Sequence, residues 1–370
     1  MAGRGTGAAV RKAVGAAAEA PGMVPPSPPP PPPPTVDELP EVEYRDGLHL
    51  VGSVVWFDAA RVRDLAFISH AHVQALLPHR KVLMTEGTLR LLRAGHPTAT
   101  ARLRAADVLT CPFGRRFSLG SLDIELLPAG HVLGSAQLLL RTARGHTVLY
   151  AGDVCLDRRP TVEACEVRRA DVLVLDNTFG APPFRFPARA RTRAAVLEWV
   201  QQTLDAGEVP VVLAEPLGAA QELVQLFAGE DVPVRAHAAI HRYARPFAQA
   251  GIELAMRRLG AAPRAGEVVL LPPGAQLQLD PERWRDVRVA LCSAWAVRPE
   301  VAARAPVHAT FPLPDHAGYD DLLRFVEAVA PRVVYLTRAP APAFLAALGA
   351  RGVLVRTAMP PAQLDLFGRP

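Results

Sequence analysis

The stretch Phe67–Arg80 constrains the fold more than any other part of the chain. An apolar run from Leu65 to Ile68 ends in His70-Ala71-His72, which is the pattern of a buried strand that carries two imidazoles to a pocket at its end. This pattern is typical of the opening of a metal site. Further on, where a second metal ion would need an acid and another imidazole, the chain has Gln74 and Ala75.

Two other strand-like runs end in residues of the same chemistry. His131 lies in the glycine-flanked segment Pro128–Ala136, and Asp153 follows Ala151-Gly152. Neutral imidazoles and a carboxylate are ligands that zinc accepts readily. We therefore predict a zinc site built from His70, His72, His131 and Asp153, although any one of these histidines taken alone would more often be a core or surface residue.

Length and composition bound the class of protein. The chain has 370 residues, half of them hydrophobic, which is enough for two domains with a sizeable core. No apolar run is long enough to span a membrane, and Met1–Ala20 has no compact apolar region of a secretory signal. We therefore expect a cytoplasmic protein.

Charge and cysteine content carry weaker information. The net charge of +5 suits an anionic partner such as nucleic acid, although arginine-rich usage also follows from a GC-rich genome. The four cysteines form no C-x-x-C pair, and we interpret them as small core residues.

The texture of the sequence divides the chain into five parts. Residues 1–40 are rich in Ala, Gly and Pro and predict a disordered tail, within which Met23 is an alternative start. Residues 41–191 contain short strands, and residues 192–304 alternate strands and helices as in a parallel sheet. Residues 305–357 are expected to close the domain formed by residues 41–191. Residues 358–370 form a C-terminal tail.

Five segments together resemble a known family: Ser69–His72, Pro128–Ala136, Ala151–Asp153, Asp176–Gly180 and Pro314–Tyr319. Their order and context are similar to those of metallo-β-lactamase-fold nucleases with a β-CASP insertion, especially the bacterial ligase-associated DNA exonucleases, also described as mRNA 3′-end-processing-like exonucleases. The resemblance implies an α/β protein, a four-layer αβ/βα sandwich with an inserted β-CASP α/β domain. It also implies DNA ligase or helicase repair partners.

The resemblance assigns roles to residues by position. His70, His72, His131 and Asp153 match the ligands of the first metal ion, and Asp153 would also orient the attacking water. Asp176 matches the acidic residue that opens the insertion. His316 matches the histidine that protonates the leaving oxygen.

The departures from the family pattern fall on the second metal ion. Gln74 and Ala75 stand where the family has Asp and His, and Thr337-Arg338-Ala339 stands where it has Thr-His-Gly. We therefore expect one zinc ion rather than two. Arg338 is always protonated, so it cannot be a ligand but could supply fixed positive charge to a phosphate or to Asp153.

A segment that follows Asp176 interleaves aromatic and basic residues. It runs from Pro183 to Arg193 and carries the candidate nucleic-acid-binding residues Arg185, Arg189, Arg191 and Arg193. Arginines neutralise phosphates and phenylalanines stack bases. The alternative, a solvated basic loop and helix start, is equally compatible with the pattern.

The C-terminal residues resemble the bacterial sliding-clamp binding peptide. In Gln363-Leu364-Asp365-Leu366-Phe367, the glutamine, the leucine and the terminal Leu-Phe pair match the residues that anchor such a peptide in a clamp pocket. A packed terminal segment is the alternative.

Two function classes remain open from the sequence. The first is a metal-dependent nuclease that acts on DNA or RNA phosphodiesters in repair or processing, with Asp153, Asp176, His316 and Arg338 as catalytic residues. The second is a catalytically inactive paralogue that binds nucleic acid or scaffolds a repair complex through the sliding clamp.

Overall fold

The computed structural model describes residues 38–72, 77–95, 97–260, 262, 264–278, 282, 284–304 and 306–360. The strands up to residue 175 are β1 (Val42–Tyr44), β2 (Leu48–Leu50), β3 (Trp56–Phe57), β4 (Leu65–Phe67), β5 (Lys81–Met84), β6 (Asp107–Thr110), β7 (Arg116–Leu119), β8 (Leu122–Pro128), β9 (Ala136–Arg141), β10 (Thr147–Gly152) and β11 (Val172–Leu175). The later strands are β12 (Val209–Leu213), β13 (Val234–Ala236), β14 (Met256–Arg258), β15 (Val268–Leu271), β16 (Val287–Cys292), β17 (Ala309–Phe311), β18 (Val333–Leu336) and β19 (Leu354–Thr357).

The helices lie between these strands and at their ends. They are α1 (Glu86–Gly95), α2 (Pro97–Ala105), α3 (Arg189–Asp205), α4 (Ala219–Ala228), α5 (Ala238–His241), α6 (Ala244–Gln249), α7 (Pro299–Arg304), α8 (Tyr319–Val329) and α9 (Pro342–Gly349). The residue pattern of Ile240–Ala250 is typical of one continuous helix. The chain instead forms α5 and α6, and Pro246, which has no backbone N–H, lies in the first turn of the second helix.

Two sheets face each other across the largest core. The first has the strand order β1-β2-β3-β4-β5-β6, and the second has the order β19-β18-β11-β10-β9-β8-β7. Phe57 and Phe67 from the first sheet pack with Leu126, Val148 and Val172 from the second, and all five are fully or almost fully buried. Strands with apolar side chains on both faces must be covered twice, which explains the outer layers.

Helices cover the outer face of each sheet. Leu89 and Leu92 of α1 pack on Val82 of the first sheet, and Phe325 of α8 and Phe344 of α9 pack on the second sheet. The layers therefore follow the order helix, sheet, sheet, helix. This arrangement confirms the predicted four-layer αβ/βα sandwich.

The third sheet lies between β11 and β18 in the sequence. Its strands are all parallel, in the order β14-β13-β15-β12-β16-β17. Val196 of α3 and Phe227 of α4 pack on one face with Val212, while Trp284 packs on the other. The chain then returns to the second sheet, where β18 pairs with β11. The predicted α/β insertion is therefore present.

The limits of these parts differ from the predicted ones by a few residues. Helix α3 starts at Arg189, before the predicted limit at 192, and β17 pairs with β16 beyond the predicted limit at 304. Leu39, predicted to belong to the tail, packs against the core of the first two sheets. Ala358 is 3% exposed and its N–H donates to the carbonyl oxygen of Leu336, so the fold extends one residue into the predicted C-terminal tail.

Several predictions fall on residues outside the described ranges. These are Gln74, Ala75 and the clamp-binding residues Gln363, Leu364, Leu366 and Phe367. Most of the predicted N-terminal tail also lies outside them. Among the described residues, the helices are all too short or too polar to cross a membrane.

Candidate metal centre

Five strand ends meet at one edge of the two facing sheets. The chain leaves β4 toward His70 and His72, β8 toward His131, β10 toward Asp153, β11 toward Asp176 and β18 toward Arg338. Neighbouring parallel strands bring their carboxyl ends to the same edge, and antiparallel β9 begins there. The predicted site residues are therefore collected at this edge, although they are far apart in sequence.

Glycines allow the His131 segment to fold tightly under the site. Gly130 and Gly134 have φ angles of +77° and +74°, a region that side chains with a Cβ rarely adopt. A Cβ on Gly130 would lie 2.2 Å from the carbonyl oxygen of Cys155. Ser135 Oγ accepts hydrogen bonds from the N–H of His131 and of Val132, each at 3.1 Å. These contacts fix the backbone that presents His131.

Three imidazoles converge at this edge. A ring nitrogen from each of His70, His72 and His131 lies within 4.8 Å of the other two. His72 Nδ1 is 2.8 Å from His131 Nε2, and His70 Nε2 is 3.4 Å from the Asp153 carboxylate. The structure thus brings together the three predicted histidines, and Asp153 lies next to His70.

The second nitrogen of each imidazole is held by the protein. His72 Nε2 donates to the carbonyl oxygen of Leu217 at 3.0 Å. His131 Nδ1 donates to the carbonyl oxygen of Asp315 at 2.8 Å. His70 Nδ1 lies 2.8 Å from Ser69 Oγ. Such outer contacts set the tautomer and orientation of metal-binding histidines.

The tautomers of His72 and His131 suit a cation between the two rings. Carbonyl oxygens only accept hydrogen bonds, so His72 Nε2 and His131 Nδ1 carry the protons. Burial lowers the pKa of both rings, and neighbouring histidines lower it further. Two neutral imidazoles therefore place their unprotonated nitrogens, His72 Nδ1 and His131 Nε2, 2.8 Å apart. That contact is repulsive unless a cation lies between the nitrogens.

The imidazole donors suit an ion of the size of zinc. Among the described residues, the donor atoms of His70, His72 and His131 lie within 4.8 Å of one another, and Asp153 is close to His70. With Zn–N bonds of about 2.0–2.1 Å, neighbouring ligand atoms lie about 3.3 Å apart. The 3.4 Å separation of His70 and Asp153 matches this value. The 2.8 Å separation of His72 and His131 has to open by roughly half an ångström.

His316 approaches the same Asp153 oxygen as His70 and is paired with Asp315. Its Nε2 is 3.5 Å from the Asp153 carboxylate and its Nδ1 is 2.6 Å from Asp315 Oδ1. Burial disfavours the charged imidazolium, but the charge of Asp315 and hydrogen bonds with Asp153 and Asp315 outweigh it and raise the pKa of His316 well above its usual value. Burial likewise opposes ionisation of Asp153, yet His316 and His70 keep its pKa low.

Arg338 binds Asp176 rather than Asp153, which corrects one of the two roles considered for it. Its Nε lies 3.2 Å from Asp176 Oδ2, and Thr337 Oγ1 donates to the same oxygen at 3.1 Å. The backbone N–H of Arg338 donates to Asn177 Oδ1 at 3.0 Å. Two-thirds of the Arg338 side chain is exposed, and Asp176 lines a small pocket with Asp153 and His316.

The basic segment divides into surface and interior residues. Arg185 is exposed, pairs with Asp320 at 3.0 Å and lies over the ring of Tyr319. Arg191 is exposed and Arg193 is half-buried. The prediction that Arg189 contacts phosphate is wrong: its side chain is 9% exposed and binds Glu222 at 2.7 Å and Asp157 at 2.9 Å. Phe184, expected to stack bases, is also buried.

Arg189 belongs to a buried charged network that the sequence did not reveal. Glu222 of α4 is 1% exposed and lies 2.7 Å from Arg189 and 4.0 Å from Arg159, whose side chain is fully buried. Arg159 donates to the carbonyl oxygens of Gly130 and His131, and Arg189 to that of Pro314. The network therefore connects the third sheet to the backbone beside His131 and Asp315.

Two further contacts of the site were missed. Asp315 precedes the predicted His316, and its acidity next to a histidine was the available signal. Leu217 belongs to the turn before α4, and its role rests on a backbone carbonyl, which sequence patterns do not mark. Gly218, at φ +105°, lets the same turn lie close to Asp315, because a Cβ at this position would be 2.6 Å from Asp315 Oδ2.

Comparison with known proteins places these features in a family, although no family model matches the chain. A protein of Opitutus terrae named as a probable DNA ligase is 34% identical over 316 residues, which are 85% of this chain and 30% of that protein. An RNase J-like protein of Methanocaldococcus jannaschii is 31% identical over 106 residues, 28% of this chain and 25% of that protein.

A third relative is the endoribonuclease ysh1 of Aspergillus fumigatus. It is 32% identical over 201 residues, which are 45% of this chain and 23% of that protein. The chain thus spans less than a third of the length of each of these three relatives. With these relatives and this arrangement of sheets, the chain belongs to the β-CASP nuclease family of the metallo-β-lactamase fold.

Proposed function

We propose that this chain is a nuclease that uses a single zinc ion to hydrolyse phosphodiesters of DNA or RNA. The observation that carries the proposal is the pair of neutral imidazoles, His72 and His131, whose unprotonated nitrogens lie 2.8 Å apart. A cation between them removes the repulsion. His70 lies in the same cluster of imidazoles, and Asp153, 3.4 Å from His70, is the proposed fourth ligand.

Asp153, His316 and Asp315 have different roles in the proposed hydrolysis. When bound, a zinc ion supplies Lewis-acid chemistry and makes a nearby water more acidic. Asp153 orients the attacking water. His316, whose Nδ1 lies 2.6 Å from Asp315 Oδ1, donates a proton to the leaving oxygen. Asp315 positions the imidazole through its 2.6 Å contact with Nδ1.

Arg338 and Asp176 form the rim on the leaving side of the centre. Arg338 is exposed and permanently charged, so it can approach a phosphate while its Nε remains paired with Asp176. In this role it supplies the charge that a second metal ion supplies in two-metal nucleases. Arg185, Arg191 and Arg193 are the proposed contacts to phosphates further along the strand.

The second candidate function is a catalytically inactive protein that binds nucleic acid or scaffolds a repair complex. The observation that favours it is the pairing of Asp176 with Thr337 and Arg338 at 3.1 and 3.2 Å, which satisfies this carboxylate without a metal ion. A two-metal mechanism is not available to such a site.

A cleavage assay distinguishes the two candidates. The metal-free protein is loaded with one equivalent of zinc and mixed with labelled single-stranded DNA, duplex DNA and RNA, alongside His131→Ala and His316→Ala. Cleavage by the original chain and loss in both variants support the nuclease. Binding without cleavage under every divalent metal tested supports the inactive protein.

We propose that the C-terminal tail recruits the protein to the bacterial sliding clamp in the cytoplasm. The residues that support this are Gln363, Leu364, Leu366 and Phe367. Leu366→Ala with Phe367→Ala should abolish retention on immobilised clamp, whereas Gln363→Ala should weaken it. Unchanged retention of the double variant would refute the clamp as partner.

The relative from Opitutus terrae suggests a further partner. That protein is named a probable DNA ligase, and this chain matches 30% of its length. We propose that the present chain acts beside a DNA ligase, with a repair helicase as a third component. Co-purification of tagged protein with ligase activity tests this association.

A further inference from the structure

A row of aromatic rings leads from the candidate metal centre to the surface. The ring centroid of His316 is 5.3 Å from that of Phe179, which is 5.2 Å from that of Trp295. Phe179 is 4% exposed, whereas Trp295 is 44% exposed. The indole is therefore the outer end of this row, two ring contacts away from His316.

The position of Trp295 is fixed by its backbone. It lies in a short 3-10 turn, Ala294–Val297, that follows β16 at the carboxyl end of the third sheet. Ser293 Oγ accepts from the N–H of Trp295 at 3.3 Å. The neighbours Ala294 and Ala296 are each 8% exposed and anchor the turn on both sides. The indole is thus presented to solvent by an ordered turn.

The surroundings of the indole suit a nucleic acid. Phe184 packs edge-on beneath it at 5.4 Å, and Arg298 lies 5.9 Å over the Phe184 ring. A single exposed apolar residue is common on protein surfaces. This one combines a rigid aromatic support with a position at the carboxyl end of a parallel sheet, where open α/β sheets bind ligands. The Arg298 guanidinium is paired with Glu300, so its charge is already balanced within the protein.

We propose that Trp295 stacks on an unpaired base of a single-stranded nucleic acid whose backbone enters the metal centre. This inference rests on the proposed function, in either its nuclease or its binding form. Aromatic side chains accept any base, because every base has a π face. The two ring spacings of 5.3 and 5.2 Å place the indole within about three stacked nucleotides of His316.

Binding of labelled oligonucleotides to Trp295→Ala tests the proposal. Fluorescence anisotropy is measured with single-stranded DNA, single-stranded RNA and a duplex of the same sequence. Loss of one base–aromatic stack should raise the Kd for at least one single strand roughly 5- to 100-fold. The duplex should be affected much less, since its bases are already paired and stacked. The two single-stranded arms tell which sugar the site accepts.

Two further variants separate stacking from other causes. Trp295→Phe should keep most of the affinity, and Leu277→Ala, which removes a 77% exposed apolar side chain elsewhere on the third-sheet part, should keep all of it. The dependence of log Kd on log salt should be unchanged in Trp295→Ala, since no phosphate contact is lost. Melting curves confirm that each variant is folded.

Two results would overturn the proposal while leaving the proposed function intact. The first is an unchanged single-strand affinity in Trp295→Ala. The second is an equal loss for single strands and duplex, which indicates a surface contact without base stacking. Failure of the original chain to bind any nucleic acid refutes the proposed function itself, and this inference with it.

Discussion

The two sides of the candidate centre use their polar atoms in opposite ways. On one side, His70, His72 and His131 each bind the protein through one nitrogen and turn the other toward a common point. On the other side, Asp176 and Arg338 bind each other. The first side is incomplete without a cation, whereas the second side is closed by protein contacts. This difference supports the proposal of one metal ion rather than two.

Removing a ligand from the side of the three histidines, called the open side below, should have the largest effect on zinc binding. The side of Asp176 and Arg338 is called the closed side. His131→Ala should weaken zinc binding by more than about 100-fold, because outer contacts of metal ligands alone contribute roughly 10- to 100-fold. Competition with a chromophoric chelator measures the affinity. His146→Ala, a half-buried histidine outside the site, is the matched control and should bind zinc normally. Comparable zinc affinity in both variants would contradict the assignment.

Breaking the buried network beneath the open side should have the next largest effect. Glu222→Ala leaves two buried guanidinium groups, Arg159 and Arg189, without their shared carboxylate. The expected loss of unfolding free energy is about 3–5 kcal/mol, measured by chemical denaturation. Glu230→Ala removes an exposed carboxylate near the end of the same helix and should change stability by less than about 0.5 kcal/mol. Similar values for the two variants would mean that the network contributes no stability.

Restoring the second side should sharpen the comparison. Gln74→Asp, Ala75→His and Arg338→His together replace the three departures from the two-metal pattern. The expected result is a second zinc ion per chain, since the new side chains are the carboxylate and imidazoles of the two-metal pattern. Arg338→His alone should bind no additional ion. If the triple variant keeps the original metal content, the three substitutions are not sufficient to form a second site, and other parts of the fold must prevent it.

The smallest expected effect is on the stability of the closed side. Arg338→Ala should reduce unfolding free energy by less than about 1 kcal/mol, because its partner contact is at the surface, with 66% of the side chain exposed. Cleavage, if present, should fall by a larger factor, roughly 100-fold, since a charge at the reacting phosphate is lost. Arg338→Lys should recover part of the rate. A stability loss above about 2 kcal/mol would mean that Arg338 is structural.

The parts of the fold that depend on local patterns could be predicted from the sequence. The helix Tyr319–Val329 and the strand Val333–Leu336 are examples, because apolar spacing and flanking glycine or proline mark them in the sequence. The convergence of His70, His72, His131 and Asp153 also follows from strands that end at one edge.

Contacts between distant parts of the chain could not be predicted in this way. Arg189 lies in a basic segment that looks solvated, and only folding brings it to Glu222 and Asp157. The carbonyl of Leu217 has no side-chain signal. Strand β15, in contrast, was missed although its run Val268–Leu271 is wholly apolar and follows a glycine, so its signal was present in the sequence.

The most direct test of the account is the metal content of the original chain. The protein is purified without added chelator, dialysed against metal-free buffer and measured by elemental analysis together with protein concentration. One zinc ion per chain is the predicted result, falling to none in His131→Ala. Two ions per chain in the original protein would contradict the claim that Arg338 and Asp176 close the second side.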